Sequence, residues 1–501
     1  MNAVILLAAV AVGNFAEIGP EEYRPLRREL RSFHIAVPDR MRLFPLSDVR
    51  VTGGRFLALQ ELDHDYLLSL EPDRLLSLFR KEAGLEPKAK PYPGWEGDDM
   101  WGWGPLAGHI LGFYMSSMSM MYQSTGDGRI LERLRYVMSE LKACQDAFGD
   151  GYVLATPGGH ALFEKVGTGD FAVTGGCIEG KFEPTYVLNK IMLGLLKVHT
   201  LCGIAEARTI LVGLANWFGR SVLDRLDHDQ VQRLLFCEHG SLSEGFAELY
   251  GLTGSPDFLR WALRLNDERV LQPLADGRDI LPGLHANAAI AKFTGFNDIR
   301  RWAGDGRCGR AAENFWRLVT ASHIWANGGN SVDEHFFAPE DREWKMLRPR
   351  GPESCNSVNM MRLTESLYRH DPRPEHVDYY ERVLFSHILA NYDPKEGMCC
   401  YYTPMRPGHY RVYGSPYASF WCCTGTGLEA PAKFARMTYA HDGEALYVNL
   451  FMPSSLEWRE KGLRLVQETR FPDEDRTELA WIVETTNAAP LDVQLAWVDY
   501  P

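Results

Sequence analysis

Tyr122-Gln123-Ser124-Thr125-Gly126 closes one apolar run and opens the next. A glycine just past a helix end supplies the left-handed residue that terminates it. Beyond it, Leu131, Leu134, Met138 and Leu141 recur at three- and four-residue intervals and mark one face of a new helix. The same Thr-Gly punctuation returns in Tyr250-Gly251-Leu252-Thr253-Gly254 and in Phe293-Thr294-Gly295. Upstream, Tyr66-Leu67-Leu68-Ser69-Leu70 and Arg74-Leu75-Leu76-Ser77-Leu78-Phe79-Arg80 carry the helical period from about Phe44. Helix, glycine cap, helix, repeated every several tens of residues, is the pattern of stacked helical hairpins. Six of them closed into a ring make an (α/α)6 barrel. An open solenoid or an irregular helical domain has the same periodicity, which does not separate the three.

After about Tyr439 the period shortens. Leu446–Phe451, Leu463–Gln467, Leu479–Val483 and Val493–Trp497 read as strands, separated by turns such as Pro472-Asp473 and Asn487-Ala488-Ala489-Pro490. These begin a β-sandwich but are too few to close one, so the natural chain is expected to continue past Pro501. The expectation is a mainly α protein: a low-information leader at 1–38, an (α/α)6 barrel over 39–438 and a partial β-sandwich over 439–501.

The chain has 501 residues, 45% hydrophobic and 12% aromatic, which is globular and argues against disorder. A net charge of −13 without a dense Lys/Arg block argues against nucleic acid and anionic membrane as partners. Thirteen Trp and 21 Tyr suit a polyhydroxylated ligand, whose sugar faces stack on rings, but they suit ordinary packing as well. The run Ala3–Val12 resembles a signal-peptide core without its positive flank, and it is too short to span a bilayer. Export to a periplasmic or extracellular setting and retention in the cytoplasm both remain open.

Ten cysteines are spread along the chain, unlike the dense framework of a secreted disulfide scaffold. Several lie in helix-like apolar runs and read as buried thiols. Cys422 and Cys423 stand apart, in the glycine- and threonine-rich stretch Trp421-Cys422-Cys423-Thr424-Gly425-Thr426-Gly427-Leu428-Glu429. Adjacent cysteines rarely bond to each other, because the ring strains the disulfide dihedral. They suit two soft ligands on one metal. Glu353-Ser354-Cys355 adds a carboxylate and a third sulfur, completing a plausible tetrahedral zinc shell, provided the fold unites the segments. Otherwise these are four unrelated buried residues. A second pair, Cys399-Cys400, runs into Tyr401-Tyr402 and reads as a core strand. Glu334, in Gly328-Gly329-Asn330-Ser331-Val332-Asp333-Glu334-His335, is a loop acid that nearby negative charge could tune for proton transfer. His109, His239 and His285 lie in loop-like contexts where structural histidines are also common.

Phe420–Glu429, Gly351-Pro352-Glu353-Ser354-Cys355 and Gly328–Phe336, with Gly94-Trp95-Glu96, Gly108-His109-Ile110-Leu111-Gly112 and Gly283-Leu284-His285-Ala286-Asn287, together resemble the β-L-arabinofuranosidases of glycoside hydrolase families 127 and 146. The Thr-Gly-Thr-Gly after the cysteines looks closer to family 146. The resemblance runs in order from about Phe44 to the end. It implies an (α/α)6 barrel followed by β-sandwich domains and Zn2+ held by Glu353, Cys355, Cys422 and Cys423. It further implies Cys422 as nucleophile, Glu334 as acid/base, and sugar contacts from His109, His285, Asn189 and Trp95. The implied activity is release of terminal β-L-arabinofuranose, with retention, from plant cell-wall glycans or glycoprotein side chains, so the partner would be an arabinose-containing oligo- or polysaccharide.

Two positions depart from the family pattern, Asn189 and Phe113, where the family usually has histidine. Asn still donates and accepts, but Phe113 offers no polar group. Two other readings stand beside the hydrolase: a non-catalytic glycan-binding barrel descended from such an enzyme, and another barrel enzyme of the epimerase or lyase type.

Overall fold

A computed structural model of the chain describes residues 4–8, 35–99, 102–483 and 492–495. Most of the leader, the Asn487–Pro490 turn and the end of the last expected strand lie outside the described residues, and of the signal-like run only Val4–Ala8 falls within them.

Among the described residues, twelve helices build the larger layer: α1 (Gly54–Ser69), α2 (His109–Thr125), α3 (Gly128–Phe148), α4 (Pro184–Cys202), α5 (Ala205–Phe218), α6 (Leu242–Thr253), α7 (Pro256–Arg264), α8 (Ala286–Ala303), α9 (Gly306–Ser322), α10 (Ser354–His370), α11 (Pro374–Val383) and α12 (Cys422–Ala432). The even-numbered helices touch in the order α2, α4, α6, α8, α10, α12, and α12 returns to α2, closing the ring. The odd-numbered helices lie outside it, α1 against α12. This is the (α/α)6 barrel, and the solenoid alternative falls away because the ring closes.

Inner and outer helices differ as their positions require. Nearly every residue of α2 and α4 is buried, serines included. Outer α3 buries one stripe, Ile130, Leu134, Val137, Met138, Leu141 and Cys144. Leu131, expected on that face, sits half-buried at its edge.

Gly126 and Gly254 cap α2 and α6 in the left-handed conformation, at φ 77° and 71°, as the punctuation predicts. Gly295 does not. It lies inside α8, where a Cβ would stand 2.1 Å from the Ser243 hydroxyl of α6. The third Thr-Gly therefore marks a close helix crossing and not a helix end.

The strands are β1 (Val4–Ala8), β2 (Arg42–Leu43), β3 (Val49–Val51), β4 (Val173–Thr174), β5 (Cys177–Ile178), β6 (Lys181–Phe182), β7 (Tyr439–His441), β8 (Ala445–Val448), β9 (Ser454–Trp458), β10 (Leu463–Thr469), β11 (Arg476–Val483) and β12 (Asp492–Leu495). One sheet runs β1-β11-β10-β9-β3 and a second β12-β8-β7-β2. Leu465 of β10 faces Leu456 of β9 across an antiparallel ladder, and alternate residues of β10 are buried. Residues 42–51, expected near the onset of helix, instead supply β2 and β3 to these C-terminal sheets. β4, β5 and β6 form a separate small meander before α4. No helix among the described residues is long and apolar enough to cross a membrane.

Candidate active site

Because each outer helix carries the chain back, the inner helices all run the same way and their first turns converge at one end. The candidate residues sit on those turns. His109 is the first residue of α2, Glu183 precedes α4, His285 precedes α8, Glu353 precedes α10, and Cys422 and Cys423 open α12. The glycine- and threonine-rich stretch around the cysteines is thus a helix from Cys422 onward. Unpaired amides and the partial positive charge of helix N-termini favour anionic groups there, thiolates included.

The three segments from distant parts of the chain do meet. Ligand atoms of Glu353, Cys355, Cys422 and Cys423 all lie within 4.8 Å of one another, and all four residues are buried. Cys355 Sγ is 3.2 Å from Cys423 Sγ, and Glu353 Oε1 is 3.5 Å from the sulfurs of both Cys422 and Cys423. Ligands about 2.0–2.3 Å from one tetrahedral ion are separated by roughly 3.3–3.8 Å, so these three separations are close to those of a shared metal ion, and the group could hold one. Two further observations fit a cation. Glu353 Oε2 is buried without a hydrogen-bond partner. Burial, reinforced by Cys422 alongside, pushes both the Glu353 carboxyl and the Cys355 thiol well above their usual ranges. Four such groups ionise together only beside a compensating positive charge. The Thr426 hydroxyl donates to Cys355 Sγ at 3.3 Å and orients that sulfur.

Glu334 reaches the cluster through residues that the sequence did not single out. Its loop holds Ser331, Asp333 and Glu334 at φ 75°, 47° and 69°, a conformation that non-glycine residues adopt only when neighbours impose it. Those neighbours are present: the Ala286 amide donates to the Glu334 carbonyl at 2.8 Å, the Asp333 amide to the Arg350 carbonyl at 3.0 Å, and Asn356 to Ser331 Oγ at 2.9 Å. Segments 352–354 and 401–403 run antiparallel, with the Ser354 amide on the Tyr401 carbonyl and the Thr403 amide on the Pro352 carbonyl. That pairing delivers two phenols. The Tyr401 and Tyr402 hydroxyls donate to Glu334 Oε1 at 2.5 and 2.8 Å, and the Tyr401 hydroxyl also stands 3.8 Å from Cys422 Sγ. Carboxylate and thiol are therefore separated by no more than those two Tyr401 contacts laid end to end.

Of the four residues expected to touch sugar, His285 and Trp95 contact Glu334 and Tyr401, while His109 and Asn189 lie on the inner helices α2 and α4. His109 is fully buried. Its Nδ1 donates to the Leu106 carbonyl at 2.6 Å, and its Nε2 has no hydrogen-bond partner. Glu96 accepts from the Gly108 and Ile110 amides at 2.9 and 2.7 Å and lies 2.9 Å from His109 Nδ1, joining the Gly94-Trp95-Glu96 and Gly108-His109 motifs. Asn189 accepts from the Ser241 amide at 3.3 Å and leaves Nδ2 unpartnered. His285 caps α8 through Nδ1, and its Nε2 lies 3.8 Å from Glu334 Oε2. Trp95 meets the Tyr401 ring edge-on at 6.2 Å. His239 is buried with neither nitrogen partnered, and burial lowers it to about 3. Phe113, the other departure, is core. It fills the space left by Gly425 on α12, where a Cβ would lie 2.1 Å from its ring, and Lys190 Nζ sits 4.7 Å over it.

Comparison with known proteins places the chain in a family. The model of the β-L-arabinofuranosidase GH127 catalytic domain matches residues 48–436, and that of the GH127 middle domain matches 445–497. A solved GH127 β-arabinofuranosidase superposes with a TM-score of 0.66 at 18% identity, over 87% of this chain and 68% of that one. A GH127 β-L-arabinofuranosidase from Geobacillus stearothermophilus T6 gives 0.62 at 16% identity, over 85% and 71%. No curated protein matches the chain. The expected closeness to family 146 finds no support in these matches. With a family model spanning most of the barrel, the chain belongs to the GH127 β-L-arabinofuranosidase family and is a glycoside hydrolase.

Proposed function

We propose that this protein is a zinc-dependent retaining β-L-arabinofuranosidase that uses Cys422 as nucleophile and Glu334 as acid/base. The observation that carries the reading is the Tyr401 hydroxyl, which lies within reach of both Glu334 Oε1 and Cys422 Sγ and so keeps a carboxyl and a thiol close to each other. Zinc bound by Glu353, Cys355, Cys422 and Cys423 would supply the positive charge that keeps these thiols deprotonated at neutral pH.

Cys422 Sγ attacks the anomeric carbon, and a C–S bond forms as the glycosidic C–O bond breaks. Two phenol donors fill Glu334 Oε1, so Oε2 carries the proton that passes to the departing oxygen. Glu334, now ionised, takes a proton from water, whose oxygen displaces the sulfur from the anomeric carbon. Two inversions give net retention. His109 Nε2 and Asn189 Nδ2, both buried and unpartnered, are available to hydroxyls of the terminal sugar, with His285 and Trp95 beside the scissile bond. The substrates are arabinose-containing glycans of plant cell walls or glycoprotein side chains.

An aryl β-L-arabinofuranoside tests the proposal. The wild-type protein is expected to release the aryl group, and Cys422→Ser to release none while melting as a folded protein. Wild-type binding without hydrolysis would instead support a glycan-binding barrel.

A further inference from the structure

Two segments beside Glu334 carry charge of the opposite sign to the chain as a whole. The net charge is −13 and 66 residues are acidic, yet no Asp or Glu occurs between Glu343 and Glu353 or between Glu396 and Glu429. The first gap holds Lys345, Arg348 and Arg350, and the second holds Arg406 and Arg411. The pairing that delivers the two tyrosines also brings these gaps side by side. Glu353 bridges to Tyr402, and a Cβ on Gly351 would stand 2.2 Å from the Thr403 carbonyl and 3.1 Å from the Met405 amide. Arg350 and Arg406 are the next residues outward on each segment, and both are exposed. Pro349, Pro352, Pro404 and Pro407 restrict the backbone on either side of them.

Both arginines are tied to the acid's surroundings. The Arg350 carbonyl accepts from the Asp333 amide at 3.0 Å, and its guanidinium stands 5.9 Å from the centre of the Tyr402 ring, whose hydroxyl donates to Glu334 Oε1 at 2.8 Å. Met405, just before Arg406, packs against the cluster of Trp325, Val332 and Phe337, and the last two stand on either side of Glu334 in sequence. Arg348 is paired with Asp333 at 2.9 Å, but neither Arg350 nor Arg406 has a carboxylate partner among the described residues. A guanidinium fork matches a carboxylate through two parallel hydrogen bonds. Glu334 gives its proton to the departing oxygen, so the solvent side of Glu334 faces the leaving group and not the cleaved sugar. We propose that Arg350 and Arg406 form a subsite for the carboxylate of a uronic acid residue on the leaving-group side, and that the enzyme therefore favours arabinofuranosyl groups borne by acidic glycans.

The inference rests on Glu334 acting as the acid/base, and the test separates the two. The probe is a trisaccharide that ends in β-L-arabinofuranose and has a uronate as its second residue, compared with its methyl ester, which keeps the shape and removes the charge. Wild type is expected to show a KM about tenfold lower for the acid than for the ester at low salt. Raising sodium chloride to about 0.5 M should shrink that preference, because exposed ion pairs are screened. In a double variant, Arg350→Gln with Arg406→Gln, the two KM values should become equal, and Arg350→Lys alone should keep part of the preference. Equal KM for acid and ester in wild type, or a preference that the double variant retains, would overturn the subsite. Should nothing be hydrolysed, calorimetric titration with the same pair reads binding alone. Tighter binding of the acid by wild type, lost in the double variant, then supports the subsite without the hydrolase reading, whereas equal binding, or none, overturns it. Hydrolysis of an aryl β-L-arabinofuranoside with no preference between acid and ester would keep the hydrolase and remove the subsite alone.

Discussion

Cys422–Cys423 and Cys399–Cys400 are the same dipeptide in two backbones. The first pair opens a helix, where neighbouring side chains diverge by about 100° and both still reach one point in front of the first turn. The second lies in extended chain, where neighbours point to opposite faces. Cys399 Sγ turns to the Cys423 carbonyl at 3.3 Å, while Cys400 bridges to Tyr413 and feels the Arg411 charge. Two adjacent thiols share an ion only if the backbone lets them converge. Side-chain chemistry alone does not distinguish the pairs.

The largest expected effect separates them at once. Cys422→Ser should lower kcat on an aryl arabinofuranoside by at least about 10⁴-fold, while Cys399→Ser stays within roughly threefold of wild type. Comparable losses in both variants would erase the distinction.

Glu334→Gln should cost about 10²–10⁴-fold on a methyl glycoside and far less on an activated aryl glycoside, because only the poor leaving group needs a proton. Equal losses would remove Glu334 from the acid role.

Chelation should then expose the pairs differently. Burial pushes Cys399 and Cys400 up to about 12, so both stay protonated and unreactive at pH 8. Iodoacetamide followed by peptide mass mapping is expected to label Cys355, Cys422 and Cys423 at least about tenfold faster after chelator treatment, with Cys399 and Cys400 unchanged. The smallest effect is on stability: Cys399→Ala should cost about 1–2 kcal/mol in chemical denaturation, the loss of a packed core thiol.

The contrast also explains what the sequence could and could not disclose. Thr125-Gly126 was legible because a helix end is a local event with a local signature. Gly295 carries the same two letters, but its reason is Ser243 on another helix, so no local pattern separates the cases. The four-residue cluster was legible as chemistry, since three thiols and a carboxylate suit one metal, although their convergence depended on a ring closing. Tyr401 and Tyr402 were missed because their place comes from pairing with 352–354, far away in sequence. Strands β2 and β3 were missed because two and three residues are too few to show a period of two.

Everything chemical in this reading depends on one ion joining two inner helices at their first turns. X-ray absorption at the zinc edge, on protein purified without added metal, addresses this most directly. One zinc per chain is expected, with three sulfurs at about 2.3 Å and one oxygen at about 2.0 Å. A nitrogen-rich shell, fewer than three sulfurs, or no stoichiometric metal would contradict it.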